Sequence, residues 1–307
     1  MTALITHADC LRHVTPDGHP ERVARLEHVL HALEPLPLTR VTAPLASDDD
    51  LLRIHPQGYL DRLRASLPNQ RLHQIDGDTW LSPGSMDAAL RGAGAVIKAV
   101  DMVLGGEVPN AFCAIRPPGH HAERETAMGF CLFGNAALAA KHALDHHGLS
   151  RVAVVDFDVH HGNGTQDLLW DEPRALLISS QQMPLWPGSG RPEEQGAHHN
   201  ILNLPLPPES TGADMRLVYE TRVFPRLRDF KPELIILSAG FDAHQDDPLA
   251  QLNWSTGDFR WLTAELCKLA AELCDGRVVS TLEGGYDLEA LSAAAKAHVE
   301  ELLEAAK

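Results

Sequence analysis

The chain has 307 residues, 44% hydrophobic and 22% charged, which suits a soluble globular protein with a sizeable core. A formal net charge of −16, from 26 basic and 42 acidic side chains, argues against a nucleic-acid partner, because such a surface repels phosphates. No apolar run reaches the roughly 18 residues of a membrane span, and the opening residues lack the basic start and long apolar centre of a signal peptide.

Five cysteines (Cys10, Cys113, Cys131, Cys267 and Cys274) are an odd number without C-x-x-C spacing. They read as reduced thiols, so a cytoplasmic protein is expected. Taken in chain order, the predicted elements alternate. A helix over Asp87–Leu104 precedes a strand over Ala111–Ile115, and a helix over Asn135–His147 precedes a strand over Arg151–Phe157. A strand follows over Ala175–Ser180, then a helix over Asp214–Asp229 and a strand over Leu234–Ala239. A helix over Gly257–Cys274, with Thr256 as its N-cap, and a strand over Arg277–Leu282 end the series. The Pro-rich piece Leu204–Pro208 reads as a loop, and His146-His147 as a surface pair at a helix end. No repeat, low-complexity tract or linker divides the chain. The expected fold is therefore α/β: one domain over residues 1–307, with an open, mostly parallel sheet flanked by helices.

Polar clusters stand just past four of these strands. They are Arg116-Pro117-Pro118-Gly119-His120-His121, Asp156-Phe157-Asp158-Val159-His160-His161, Gly240-Phe241-Asp242 and Glu283-Gly284-Gly285-Tyr286. In parallel α/β sheets ligands bind at the carboxyl ends of strands, so the four clusters have reason to converge. In extended chain, residues two apart share a face, which would put Asp156, Asp158 and His160 together while Phe157 and Val159 pack. With Asp242 as third ligand, Asp158 and His160 make a mixed N/O set for one borderline divalent ion, zinc or ferrous iron, with positions left for water and substrate. His120 and His121 are general acid–base candidates. Tyr286, after two glycines, is placed to donate to a developing oxyanion. Each fragment alone reads more simply as a hydrogen-bonded strand end, a surface histidine pair or a packed tyrosine; together they favour a metal site.

The stretches "RPPGHHA" (116–122), "DFDVHHGNGTQ" (156–166), "PGSG" (187–190), "SAGFDAH" (238–244) and "LEGGYD" (282–287), with "DGHPERVARL" (17–26), resemble the zinc-dependent histone deacetylases. The details are closest to the class II branch and the bacterial deacetylase-like amidohydrolases, and the likeness covers nearly the whole chain. The resemblance implies that Asp158, His160 and Asp242 bind the metal and that Tyr286 serves the transition state. It makes His121 the general base and then acid, beside His120. Asp156 matches the carboxylate behind the first histidine. Asn163 stands where class I enzymes place an aspartate behind the second, and a neutral amide stabilises a His121 imidazolium less than a carboxylate would. Gly129, Phe130 and Trp186 match the walls of an acyl-lysine tunnel, with Trp186 replacing the usual phenylalanine and Leu249 at the rim. Asp156, Asp158 and Ser179 match a structural potassium site.

The implied reaction is metal-assisted hydrolysis of an acetyl or other short acyl group from a lysine side chain of a protein or peptide, releasing acetate. An arginase-like two-metal reading fails, because Gly162 and His244 stand where the second ion needs carboxylates. Deacetylation of small acetylated polyamines is the alternative. Leu249, apolar where a polyamine enzyme tends to carry an acidic gatekeeper, favours a neutral acyl-lysine, whereas Asp246 and Asp247 nearby keep the alternative open. A non-catalytic binding module would lack a ligand or the tyrosine, and none is missing. Oligomeric state, including a homo-oligomer, is left open by the sequence.

Overall fold

Eight parallel strands form a single sheet in the computed structural model, which describes residues 1–307. In chain order the strands are β1 (Ala3–Thr6), β2 (Thr39–Thr42), β3 (His73–Gln74), β4 (Trp80–Leu81), β5 (Asn110–Cys113), β6 (Val152–Asp156), β7 (Ala175–Gln182), β8 (Ile201–Leu206), β9 (Leu234–Ala239) and β10 (Val278–Leu282). The large sheet runs β2-β1-β5-β10-β9-β6-β7-β8. Every neighbouring pair in it is parallel, and β3 with β4 makes a small antiparallel pair apart from it. Every residue of β5, β6, β7, β9 and β10 is buried. That follows from runs such as Val152–Val155 and Leu234–Leu237, apolar on both faces and covered by helices on both. One apolar core extends from Ala3 to Leu302.

The strands predicted from sequence all form, within one or two residues of their expected ends. Three more complete the large sheet, beside the small β3–β4 pair. The short β1 and the half-exposed edge strand β2 carry too few apolar residues to stand out. β8 corrects the reading of Leu204–Pro208 as a loop, since Leu204, Pro205 and Leu206 pair with Ser180, Gln181 and Gln182 of β7. Proline is tolerated there because β8 is the last strand of the sheet and needs no donor on its outer side.

Helices Ser85–Leu104, Asn135–Asp145 and Thr256–Cys274 match their expectations, but the N-cap of the last is Ser255, whose side chain closes a capping box with Asp258. The predicted helix over Asp214–Asp229 is interrupted by a π-helical turn at Tyr219–Val223. Helices Val23–Leu33, Gln57–Ala65 and Leu288–Ala305 are among those that lie outside the predicted elements. No helix is long and apolar enough to cross a membrane.

The four strands that lead into the polar clusters, β5, β10, β9 and β6, are the central four and are adjacent in that order. Being parallel, they present all four clusters at one edge.

Candidate active site

β6 ends at Asp156, and residues 157–160 turn rather than extend. The grouping of Asp158 with His160 therefore comes from side-chain caps, not from strand alternation. Asp156 Oδ1 accepts the N–H of Asp158, and Asp158 Oδ1 accepts the N–H of His160. Phe157 and Val159 pack into the core as expected. Asp242 arrives from the end of β9, where its Oδ1 accepts the N–H of Val159 at 2.9 Å.

The ligand atoms of Asp158, His160 and Asp242 lie within 4.8 Å of one another. His160 Nδ1 is 3.2 Å from Asp158 Oδ1 and 3.1 Å from Asp242 Oδ2. A tetrahedral ion with bonds of ~2.0 Å needs ligand atoms about 3.3 Å apart, which both His160 distances match. Burial would make His160 harder to protonate, but hydrogen bonds to Asp158 and Asp242 push it up to about 10. Two buried carboxylates thus call for a cation between them. Burial raises Asp242, and the charge of Asp158 adds to it. The backbone has been kept out of the way: a Cβ at Gly284 would lie 2.2 Å from Asp242 Oδ2, and one at Gly240 would lie 2.1 Å from Asp158 Oδ2.

His120 and His121 are buried side by side, ring centroids 3.9 Å apart. His120 Nδ1 faces Asp156 Oδ2 at 3.0 Å, so that nitrogen carries a proton. Burial opposes the imidazolium of His120, but Asp158 and Asp156 overcome it and hold its pKa well above the usual value. His121 Nδ1 faces Asn163 Oδ1 at 2.7 Å. The orientation of that amide is set from behind, since Asn163 Nδ2 donates to Glu123 Oε1 at 2.8 Å and a carboxylate only accepts. The amide oxygen therefore accepts the Nδ1–H of His121, leaving His121 Nε2 as the basic nitrogen. Burial, then the nearby His120 and His160, hold the pKa of His121 well below the usual value. The two histidines are thus pushed in opposite directions.

A cavity of about 180 Å³ leads to this group, lined by His121, Gly129, Phe130, His160, Leu185, Trp186, Leu249, Tyr286 and Asp78. Of the two adjacent histidines, His121 lines it and His120 does not. Phe130 packs edge-on to Tyr286 at 5.9 Å and Trp186 edge-on to His121 at 4.7 Å. Gly129 has a φ of +55°, and a Cβ there would lie 2.5 Å from the His121 ring, so glycine is required where the chain passes the histidine. Ser179 pairs in register with Asp156, and its hydroxyl is buried with no hydrogen-bond partner.

Several residues beyond those singled out in the sequence support the site. Glu283 is fully buried, and its Oε2 accepts the N–H groups of Gly119 and His120. Burial, relieved in part by His120, leaves its pKa near 7. Asp247 Oδ2 accepts the Tyr286 N–H at 2.7 Å. Arg25 donates to the carbonyls of Glu283 and Gly285, and its guanidinium lies 4.8 Å from the Tyr286 ring centre. Glu21, itself fully buried, holds both Arg25 and Arg116. Glu21, Arg25 and Glu283 lie inside stretches already quoted, but their role depends on partners some 95 to 260 positions away. His161 lies outside the cavity, bonded to Ser189 and Gln166.

Comparison with known proteins shows the family. The model of the family described as histone deacetylase domain matches residues 19–302. A rice protein named histone deacetylase 10, chloroplastic, is 42% identical over 90% of this chain and 68% of its own length. A human protein named polyamine deacetylase HDAC10 is 36% identical over 98% of this chain and 48% of its own length. The crystal structure of the HDA15 HD domain superposes with a TM-score of 0.92 at 31% identity, covering 98% of this chain and 91% of the other. This chain belongs to the histone deacetylase family and is a hydrolase with deacetylase activity.

Proposed function

We propose that residues 1–307 act as one catalytic domain that removes acetyl or other short acyl groups from lysine side chains of proteins or peptides. The observation that carries this reading is the apolar-walled cavity of Phe130, Leu185, Trp186 and Leu249 that ends on His121, His160 and Tyr286. Such walls suit the uncharged methylene stem of an acylated lysine. Asp158, His160 and Asp242 would hold one zinc ion, with ferrous iron as the other ion this donor set accepts. When bound, the ion would polarise the amide carbonyl and lower the pKa of the attacking water.

The protein's own groups do the rest. His121, neutral and presenting Nε2 to the cavity, takes a proton from the attacking water and returns it to the leaving amine. Asn163, fixed by Glu123, keeps that nitrogen free. Tyr286 donates its hydroxyl to the oxygen that becomes negative in the transition state. His120, held charged by Asp156 and Asp158, contributes a fixed positive charge beside the reacting group. Products are acetate and a free amine, with no covalent intermediate. Asp156, Asp158 and the unpartnered Ser179 hydroxyl would hold a structural potassium ion. The acidic surface disfavours nucleic acid as a partner, and five buried free thiols favour a cytoplasmic compartment.

A second reading, deacetylation of small acetylated polyamines, is favoured by one observation: Asp78 lines the same cavity and offers a carboxylate to a cationic amine. Competition between acetyl-lysine peptides and acetylspermidine or acetylputrescine separates the two. The first reading expects the higher kcat/KM for the peptides. The reverse order replaces it with the second.

A further inference from the structure

A second group of metal-binding side chains lies away from the catalytic edge. Asp101 is in the last turn of helix Ser85–Leu104, His142 is in the last turn of helix Asn135–Asp145, and His146 and His147 follow directly. One ligand atom from each of the four falls within 4.8 Å of the others. The first helix runs into β5 and the second into β6, so both helix ends sit at the amino edge of the parallel sheet, opposite the catalytic clusters. Nothing in the deacetylation mechanism uses these residues.

The geometry points to a zinc site formed by Asp101, His142, His146 and His147 that ties the ends of the two helices together. His142 and His146 stand four positions apart, the spacing that puts two imidazoles on one helix face for a shared ion. Their rings are stacked at 4.7 Å with 11° between planes, and the His147 ring stands edge-on to both, 5.3 Å and 5.0 Å away. His142 Nε2 and His147 Nε2 approach the same oxygen, Asp101 Oδ1, at 2.7 Å and 2.8 Å. Two rings thus share one acceptor while His142 Nδ1 is buried with no hydrogen-bond partner. Three imidazoles and one carboxylate, without a thiolate, form a closed four-ligand set for a borderline divalent ion and exclude a hard cation such as calcium. His146 is exposed, and Asp101 and His147 are half-buried, so an ion can enter from solvent.

The test uses the full chain, stripped with chelator and dialysed against zinc, with bound metal counted by mass spectrometry. Wild type is expected to hold two zinc ions, and a His146→Ala, His147→Ala double variant one, with deacetylase activity unchanged. Asp158→Asn, which removes a catalytic-site ligand, should still bind one zinc and should gain thermal stability from it; the triple variant should do neither. If Asp158→Asn binds no zinc, or if the triple variant binds zinc and is stabilised as well as Asp158→Asn, the site is overturned. A His146→Gln, His147→Gln pair repeats the count with the helix end less disturbed.

Discussion

Replacing Tyr286 with phenylalanine isolates a single hydroxyl. The ring is held on one side by the Arg25 guanidinium at 4.8 Å and on another by Phe130 at 5.9 Å, and both contacts survive in Tyr286→Phe. The backbone is held independently, because the residue's N–H donates to Asp247 and the carbonyl of the preceding Gly285 accepts from Arg25. Folding, zinc content and KM should therefore stay at wild-type values. What is lost is one donor aimed at charge that exists only in the transition state, a change that costs about 2.7–4 kcal/mol, or roughly 10²–10³ in kcat. Steady-state kinetics on an acetyl-lysine peptide, with metal analysis of the same sample, measure this directly. A variant with wild-type kcat would refute the role. So would a kcat that falls in proportion to lost zinc, since the hydroxyl would then be structural.

Asp158→Asn removes a charge from the candidate metal group and, having one acceptor oxygen where the carboxylate has two, keeps a partner for only one of the N–H groups of His160 and Gly284, so it should lose catalytic-site zinc and activity together at a modest cost in stability; full activity with full zinc content would contradict the ligand assignment. Glu21→Ala leaves the buried guanidiniums of Arg25 and Arg116 without their shared carboxylate and should destabilise the protein by about 3–5 kcal/mol, read as a lower urea midpoint. Burial opposes the carboxylate of Glu21, but Arg116 brings its pKa down to about 2, so its share of stability is present above the unfolded value of 4.5 and is lost as pH falls through about 2. A carboxylate in place of Asn163 would stabilise the His121 imidazolium, so the base form would appear only at higher pH and the acidic limb of the kcat/KM profile should move upward by roughly one to three units. Because Glu123 stands 2.8 Å from Asn163 Nδ2, the full shift is expected only when Asn163→Asp is combined with Glu123→Gln; limbs that stay in place in both variants would remove His121 as the base.

The central strands were legible because full burial on both faces demands continuous apolar, β-branched runs, and Leu234–Leu237 or Val152–Val155 leave few other readings. The edges were not, for the same physical reason. An edge strand needs only one apolar face and one paired side, so β2 alternates between half-buried and exposed, and β8 accommodates Pro205. In the site, Asp158, Asp242, the histidine pair and Tyr286 stood out because acids and imidazoles directly after apolar strands are costly unless they serve a ligand. Extended-chain alternation also groups Asp158 with His160, but the local geometry is different, since caps on the N–H groups of Asp158 and His160 turn the chain there.

What stayed hidden is the layer one contact further out, and Asn163 illustrates the reason. Read along the chain, it is a neutral residue in an aspartate's place, so His121 should sit in an uncharged setting. In space a carboxylate is present, displaced by the length of an amide: Glu123 fixes the amide, the amide fixes the proton on His121 Nδ1, and Nε2 is left basic toward the cavity. The charge is close enough to orient the ring but too far to hold a proton on it, consistent with a His121 kept neutral beside a charged His120. Glu123 is only two residues from His121, yet nothing in its own neighbourhood marks it, because its partner Asn163 is 40 positions later. The same holds for Glu283, whose two N–H donors come from Gly119 and His120, 164 and 163 positions away. Candidate ligands can be read from residue type and strand position. The groups that decide which nitrogen carries a proton depend on contacts between elements, and those exist only once the sheet has brought β5, β6 and β10 to one edge.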